Sequence, residues 1–169
     1  GIVRSLAIQA DGKVVLGGDF TTLQPNGAAT ATTRNRVARV NADGSLDTVF
    51  DPNADDVVKA VALQADGKVM LGGSFSFLQP NGAASAVARK IFALVNNDLA
   101  TQTLGAVDAT QVLWQRGGAA PEASHVTFEQ SLDGGATWTA LGSATRGTGA
   151  TSDWQLTGLA LAGSGQLRA

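Results

Sequence analysis

The stretch "QADGKVVLGGDF" at residues 9–20 returns, with all but two residues unchanged, as "QADGKVMLGGSF" at residues 64–75. The displacement is 55 positions, and "LQPNGAA" at residues 23–29 returns unchanged with the same displacement at residues 78–84. A period of this length indicates tandem copies of one small structural unit.

The first copy has the pattern of a β-hairpin. Apolar and small or polar residues alternate over residues 5–10, which is the period of a half-buried strand. Asp11-Gly12 supplies two residues that tolerate positive φ, as a two-residue hairpin turn requires. The apolar run at residues 14–16 is typical of an inner strand. Gly17-Gly18 predicts a bulge or a close approach of another backbone.

A second hairpin is predicted in the same repeat. Residues 36–42 form its first strand, Asp43-Gly44 its turn and residues 45–50 its return strand. One repeat is therefore predicted to contain four short antiparallel strands, the number found in a blade of a β-propeller. The first repeat spans residues 1–54, and the second, residues 55–98, ends at Asp98 without a matching return strand.

The stretches "LAIQADGKVVLGGDF", "RNRVARVNADGSLDTVFDP" and "AVALQADGKVMLGGSF" resemble the bacterial delta-sixty repeat. The resemblance covers about residues 3–98. It implies a propeller-like array in a large, mostly secreted or surface-exposed protein, and it implies no catalytic residues. Because fewer than two complete blades would leave a sheet edge and a blade face bare, we also expect further repeats before Gly1, self-association, or packing of the blades against the C-terminal sandwich.

The remainder of the chain has a different pattern. Residues 99–110 are expected to be a polar joint, and residues 111–169 alternate in at least five short segments separated by Gly, Pro and Ser. These segments are "QVLWQRGG", "HVTFEQSL", "ATWTALG", "SDWQLTGLAL" and "GQLRA". The pattern predicts a small β-sandwich of immunoglobulin or fibronectin type. Its expected aromatic core consists of Trp114, Phe128, Trp138 and Trp154.

Within this region, "SLDGGATW" at residues 131–138 fits the Asp-box pattern that recurs in sialidases. Turn chemistry predicts a structural hairpin, with Asp133 accepting backbone N–H groups, Gly135 at positive φ and Trp138 packed beneath. Sialidases use a tyrosine nucleophile, and the chain contains no tyrosine. The sequence therefore excludes sialidase chemistry.

No spacing of reactive residues predicts a catalytic, cofactor or metal site. The chain has one histidine, His125, and no cysteine, so neither a typical zinc site nor a Ser-His-Asp triad is indicated. "DPNADD" at residues 51–56 offers oxygen ligands of the kind calcium prefers, but it lacks EF-hand spacing, and a solvated turn is favoured. Each aspartate that precedes a glycine is expected to be a turn-former: Asp11, Asp43, Asp66 and Asp133. The other carboxylates considered have no partner at a set spacing: Asp19, Asp47, Asp51, Glu122 and Glu129.

The amino-acid composition limits the kinds of molecule that the protein is expected to bind. The net charge is −2 and the basic residues are scattered, which argues against nucleic acid. No apolar run reaches the roughly 18–20 residues that a membrane-spanning helix needs. The predicted function is a non-enzymatic structural or interaction module of a large bacterial secreted or cell-surface protein. It would contact protein or glycan through the loops at residues 21–35 and 76–90.

The alternative is a fragment of a carbohydrate-active enzyme or its accessory glycan-binding domain. Two facing carboxylates in an aromatic-lined pocket would favour that alternative, because glycoside hydrolysis uses such a pair.

Overall fold

The computed structural model of the chain describes residues 1–80, 83–147 and 152–169. These residues form seventeen β-strands and no α-helix, which confirms the all-β class. None of the described residues forms a helix of the length and hydropathy needed to cross a membrane. The chain divides into two compact units, residues 1–100 with 118–121 and residues 101–117 with 122–169.

The first unit contains ten strands. They are β1 (Val3–Ile8), β2 (Val14–Gly18), β3 (Thr22–Leu23), β4 (Thr32–Thr33), β5 (Val37–Val40), β6 (Val58–Leu63), β7 (Val69–Gly73), β8 (Phe77–Leu78), β9 (Val87–Ala88) and β10 (Phe92–Val95). Each repeat forms one three-stranded antiparallel sheet, ordered β1-β2-β5 in the first and β6-β7-β10 in the second. Each also forms a two-stranded ribbon, β3-β4 or β8-β9, which we call the first and second arm.

Each sheet has three strands rather than the predicted four. In the first repeat, residues 45–50 contribute only one bridge, between Leu46 and Val40. The chain turns away at Asp47, whose carboxylate accepts the backbone N–H of Val49 at 2.9 Å and of Phe50 at 3.3 Å. Such a side chain offers the backbone a local alternative to strand pairing. The predicted return strand is therefore reduced to the single bridge at Leu46.

The Asp-Gly turns close three-residue loops rather than the predicted two-residue ones. At the first turn, the Gly12 N–H donates to the carbonyl of Gln9 and the Gln9 N–H donates to the carbonyl of Lys13, both at 2.9 Å. Gly12 has a φ of 83°, whereas Asp11 has no positive φ. This is a type I turn followed by a bulge residue in the left-handed region. The turns at residues 41–45 and 64–68 have the same bonds.

The two sheets of the first unit pack together at Gly17, through side chains. The predicted close approach of another backbone occurs at Gly18, where an added Cβ atom would clash with the Ile2 carbonyl oxygen. A Cβ atom at Gly17 would lie 2.7 Å from methyl carbons of both Val58 and Val61. These valines enter a common core that both repeats supply. The predicted bulge is also present, because the register of β1 against β2 shifts between Val3 and Ser5.

Strand β1 buries the side that carries its small residues and exposes the side that carries its large ones. The small side of the strand faces the second sheet, where the Ser5 hydroxyl accepts the Val61 N–H at 3.0 Å and Ala7 packs against the core. The large residues lie on the opposite side, and Leu6 is 57% exposed. The alternation was predicted correctly, but it did not show which side of the strand is covered.

The second unit contains seven strands: β11 (Ala100–Asp108), β12 (Gln111–Gly118), β13 (Thr127–Ser131), β14 (Thr139–Ser143), β15 (Thr145–Arg146), β16 (Trp154–Thr157) and β17 (Gln166–Arg168). One sheet has the order β11-β12-β16-β15 and the other β14-β13-β17. Both contribute to one core, with Val112 and Trp154 from the first sheet and Phe128 from the second. The orders correspond to A-B-E-D and C′-C-F of the immunoglobulin sandwich.

Three details of the second unit differ from the sequence predictions. The segment 99–110, expected to be a joint, contains the whole of the nine-residue strand β11. Strand β16 ends at Thr157, because Gly158 adopts a φ of 76°, although Leu159 and Leu161 still pack against the core. Trp138 lies outside the buried cluster, because its ring covers a turn instead.

We expect a single methyl group at Gly17 to destabilise the first unit. Gly17→Ala places that group against packed valine methyls, and overpacking of this kind costs about 1–3 kcal/mol. Gly72 is the same position in the second repeat, where the nearest atom to an added Cβ is 3.8 Å away. Gly72→Ala is therefore the matched control. Urea unfolding at low protein concentration measures both variants, and equal midpoints would contradict the close approach.

Candidate functional site

The three turn aspartates of the first unit serve the backbone. Each carboxylate accepts the N–H of the residue two positions later. The distances are 3.0 Å for Asp11 and Lys13, 2.8 Å for Asp43 and Ser45, and 3.1 Å for Asp66 and Lys68. Because bonds of this kind favour the charged form, the pKa of Asp43 lies below its ordinary value through the Ser45 hydroxyl and N–H. These residues act as the predicted turn-formers.

A charged cluster joins the two repeats at one end of their sheets. Arg39 donates from Nε to Asp47 at 2.9 Å, and its Nη2 lies 2.8 Å from the same oxygen. Its Nη1 lies 3.0 Å from Asp98 of the second repeat. Lys13 contacts the same Asp98 carboxylate at 2.9 Å. Arg39 and Asp47 are buried, and the guanidinium lies 4.9 Å above the Phe50 ring. The cluster is an ionic link between the repeats.

Asp47 is ionised at the centre of this link. Burial raises the pKa of its carboxyl, but the Val49 N–H and the Arg39 guanidinium outweigh burial, so the pKa lies below its ordinary value. A carboxylate that already accepts three hydrogen bonds and forms an ion pair is a poor general acid or base. Sequence reasoning missed the cluster, because Arg39 interrupts an apolar strand and its partners lie eight and fifty-nine residues away.

The segment at residues 51–56 connects the repeats and anchors the second arm. Pro52 and Ala54 are buried, and Ala54 bridges Leu78 of the arm. The Asp55 carboxylate accepts the N–H of Ser76 at 2.8 Å and of Phe77 at 3.0 Å. The segment is therefore a partly buried connection rather than the solvated turn that was favoured.

The second arm is the most distinctive surface of the first unit. At the two positions where the first arm has Thr22 and Thr32, the second has Phe77 and Val87, displaced by 55 residues. Phe77 is 45% exposed and Val87 is 43% exposed. The tip of the second arm, Asn81 and Gly82, lies outside the described residues. Phe77 pairs with Ala88 and Val87 pairs with Leu78, so the two side chains lie on opposite faces of the ribbon. Exposed apolar side chains of this kind often mediate binding.

Two open clefts flank the second arm. One, of about 320 Å³, is lined by Asp51, Leu78, Val87 and Arg89 among others. The other, of about 280 Å³, is lined mainly by polar residues, with Asn35, Arg36, Asn53, Asp55 and Gln79 prominent. Asn53 and Arg36 both hold positive φ, at 50° and 66°. Among the described lining residues, each cleft contains one carboxylate.

In the second unit, the "SLDGGATW" stretch closes a hydrogen-bonded turn. Asp133 accepts the Thr137 N–H at 2.9 Å, the Thr137 hydroxyl at 2.6 Å and the Ser131 hydroxyl at 2.7 Å. These bonds, with the Thr137 hydroxyl foremost, hold the pKa of Asp133 far below its ordinary value. Gly135 has a φ of 95° and its carbonyl accepts the Trp138 indole N–H. Asp133 therefore has the predicted structural role.

The remaining sequence candidates of the second unit are dispersed. His125 is exposed, just before β13. Glu122 binds Arg146, Ser152 and the Ala123 N–H. Glu129 binds Arg168, whose guanidinium lies 4.3 Å above the Trp138 ring. These carboxylates fasten strands and loops to one another.

The acidic candidates of the first unit also pair with different basic residues rather than with one another. Asp19 accepts the Arg4 guanidinium at 2.8 Å, and Asp51 lies 3.5 Å from Arg34. Across the described parts of the chain, no three His, Cys, Asp or Glu side chains are grouped so that they could hold a metal ion.

The fold and its internal repeat define a class of protein: an all-β repeat protein with propeller-like antiparallel sheets. Residues 9–50, which extend from the first Asp-Gly turn to Phe50, match a family model described as "Domain of unknown function (DUF5122) beta-propeller". This match supports a β-propeller-like repeat family for the first repeat. Comparisons with curated proteins and with solved structures found no match.

We expect the ionic link to contribute strongly to stability. Arg39→Leu introduces the residue that the second repeat has at the equivalent position, Leu94, and leaves the Asp47 charge buried without its guanidinium. Removing one partner of a buried pair typically costs about 3–5 kcal/mol. Arg4→Leu, which breaks the exposed pair with Asp19, should change the free energy of unfolding by less than about 1 kcal/mol. Equal urea midpoints for the two variants would contradict the buried link.

We expect the Asp133 turn to confer an acid-sensitive part of the stability. Because the folded pKa is depressed, the stabilisation is complete above the unfolded value of about 3.9 and is lost as pH falls towards the folded pKa. Asp133→Asn should therefore lower the melting temperature at neutral pH, and its difference from the wild type should shrink below about pH 4. Thermal melts across this range provide the measurement. A difference that grows on acidification would contradict the assignment.

Proposed function

We propose that this chain is a non-catalytic interaction module, built from delta-sixty-type repeats and a β-sandwich, of a large bacterial secreted or cell-surface protein. The match of its first repeat to a β-propeller domain of unknown function is consistent with a structural or interaction role. The observation that carries the proposal is the replacement of Thr22 and Thr32 of the first arm by the exposed Phe77 and Val87 of the second.

The second arm is suited to binding because it combines apolar exposure with rigid support. Asp55 holds Ser76 and Phe77 by their backbone N–H groups. Leu78 is buried on the face of the ribbon that Val87 shares, opposite the face of Phe77. Phe77 and Val87 are therefore presented without a large loss of conformational entropy on binding. The adjacent clefts offer Arg89 and Asp51 on one side and amide side chains on the other.

A protein partner fits this surface better than a sugar. Sugar-binding sites commonly rely on exposed tryptophan or tyrosine rings, and the chain has no tyrosine. All three tryptophans belong to the second unit. For the alternative, a carbohydrate-active enzyme, two carboxylates facing each other across a cleft are needed, and the described lining of each cleft offers one.

The test compares the wild type with the double variant Phe77→Thr and Val87→Thr, which converts the second arm to the residues of the first. We expect displayed-peptide selection against the wild type to yield apolar peptides that bind the double variant at least about tenfold more weakly, as loss of a buried aromatic contact implies. Thr22→Ser with Thr32→Ser is the matched control on the first arm, and it should leave binding unchanged.

Two outcomes would overturn this assignment. Peptide binding that survives in the double variant would remove the second arm from the binding surface. Hydrolysis of chromogenic glycosides by the wild type, abolished by Asp51→Asn or Asp55→Asn, would support the enzymatic alternative instead.

A further inference from the structure

The first unit has an apolar face that is at least partly uncovered on each of its two sheets. Paired residues of neighbouring strands lie on the same side of a sheet, so the strand registers define both faces. Outer face one belongs to the first sheet and comprises Leu6, Ile8, Val14, Leu16, Ala38 and Val40. Leu6 and Ile8 are its exposed members, Val14, Leu16 and Val40 are half-buried, and Ala38 is buried. Outer face two belongs to the second sheet and comprises Ala60, Ala62, Met70, Gly72, Phe92 and Leu94.

Outer face one repeats the side of the second sheet that is buried against the first. Leu6, Val14 and Leu16 correspond, 55 positions earlier, to residues that form the internal interface. Those buried counterparts are Val61, Val69 and Leu71. The first sheet thus carries on its outer side a set of aliphatic residues similar to the one that already packs against a sheet of this kind within the chain.

Outer face two corresponds in sequence to the side of the first sheet against which Val58 and Val61 pack. Its Gly72 corresponds to Gly17, where the two valines fill the space above the glycine. Above Gly72 the nearest atom to an ideal Cβ is the Ala60 methyl of the same sheet, at 3.8 Å. Val37, which is fully buried beside Gly17, corresponds to Phe92, which is 58% exposed. The space above Gly72, which corresponds to the space that the two valines fill above Gly17, is therefore filled by no described residue of a single copy of the chain.

The differences between the two receiving sides indicate what outer face two accepts. Ser5 and Arg39 supply polar contacts at the internal interface, and their counterparts are Ala60 and Leu94. Outer face two therefore offers an apolar contact with no requirement for a charged partner. Outer face one supplies such a surface, because its members are all aliphatic.

We propose that outer face one of one copy of this chain docks on outer face two of a second copy, head to tail, by the same packing that joins the two sheets within each copy. The contact continues an interface that the chain already contains. It goes beyond the proposed function, because it uses neither arm. Since the two faces differ, the association is heterologous and extends to trimers and larger species rather than stopping at a dimer.

Sedimentation velocity over a range from low micromolar to near-millimolar protein tests this proposal. We expect the wild type to form dimers and larger species as concentration rises. Leu6→Glu blocks outer face one and Phe92→Glu blocks outer face two. Each should weaken association at least about tenfold, because a carboxylate in an apolar contact loses its hydration. An equimolar mixture of the two variants retains one intact face on each partner, so it should form a complex that stops at two chains.

Controls separate this contact from general stickiness and from the arm. Val49→Glu, at an exposed apolar residue outside both faces, and the Phe77→Thr/Val87→Thr variant should assemble like the wild type. Circular dichroism checks the fold of each variant, and Ile8→Glu with Met70→Glu provides a second complementary pair. A wild type that is monomeric at the highest concentration would overturn the proposal. So would a Phe92→Glu variant that dimerises alone, or a variant mixture that forms no complex.

Discussion

The close approach of the second sheet to the backbone of Gly17 is the constraint on which the first unit depends. Two valine side chains occupy the volume that any other residue at position 17 would fill. That contact brings two thin sheets near enough to share one core, which neither repeat could enclose with three short strands. The same proximity places Arg39 within reach of Asp98. The ionic link is therefore a consequence of the packing of the two sheets and not its cause.

The carboxylates of this protein have a structural role. Short strands leave many chain reversals, and each reversal exposes backbone N–H groups that need acceptors. Aspartates meet that need at the Asp-Gly turns, at Asp47, at Asp55 and at Asp133. At Asp43, Asp47 and Asp133 these hydrogen bonds lower the pKa of the carboxyl, since they favour its charged form. The surfaces left for recognition are therefore apolar or amide-rich, as at the second arm and its clefts.

The local features could be predicted from the sequence, and the features that depend on distant residues could not. Asp-Gly turns, the central strand β2 and the crowding at Gly17 all follow from patterns a few residues long. The missing fourth strand depends on which backbone groups the Asp47 side chain selects, and propensity does not reveal that choice. The exposure of Leu6, against the burial of Val61, depends on what packs over each sheet. Two equivalent positions with nearly the same local sequence can differ in this way.

In the second unit the same limit applies to β11. Its Ala- and Thr-rich sequence has no clear alternation, and the strand forms because β12 supplies a partner. The candidate surface was foreseen only as a loop range, 76–90. Comparison of the two repeats adds the specific residues, because the first arm serves as an internal reference for what the scaffold alone requires.

The arms have their own two-stranded pairing, separate from the three-stranded sheets beneath them. An arm can therefore gain or lose residues at its tip without altering the register of the sheets. For a flexible loop, each doubling of length adds only about 0.6 kcal/mol of closure entropy. Between Leu23 and Thr32, insertions that keep the Asn26 side chain bonded to the Asp43 carbonyl should therefore change the free energy of unfolding little. The architecture separates the part of the chain that must remain fixed from the part that evolution can lengthen and vary.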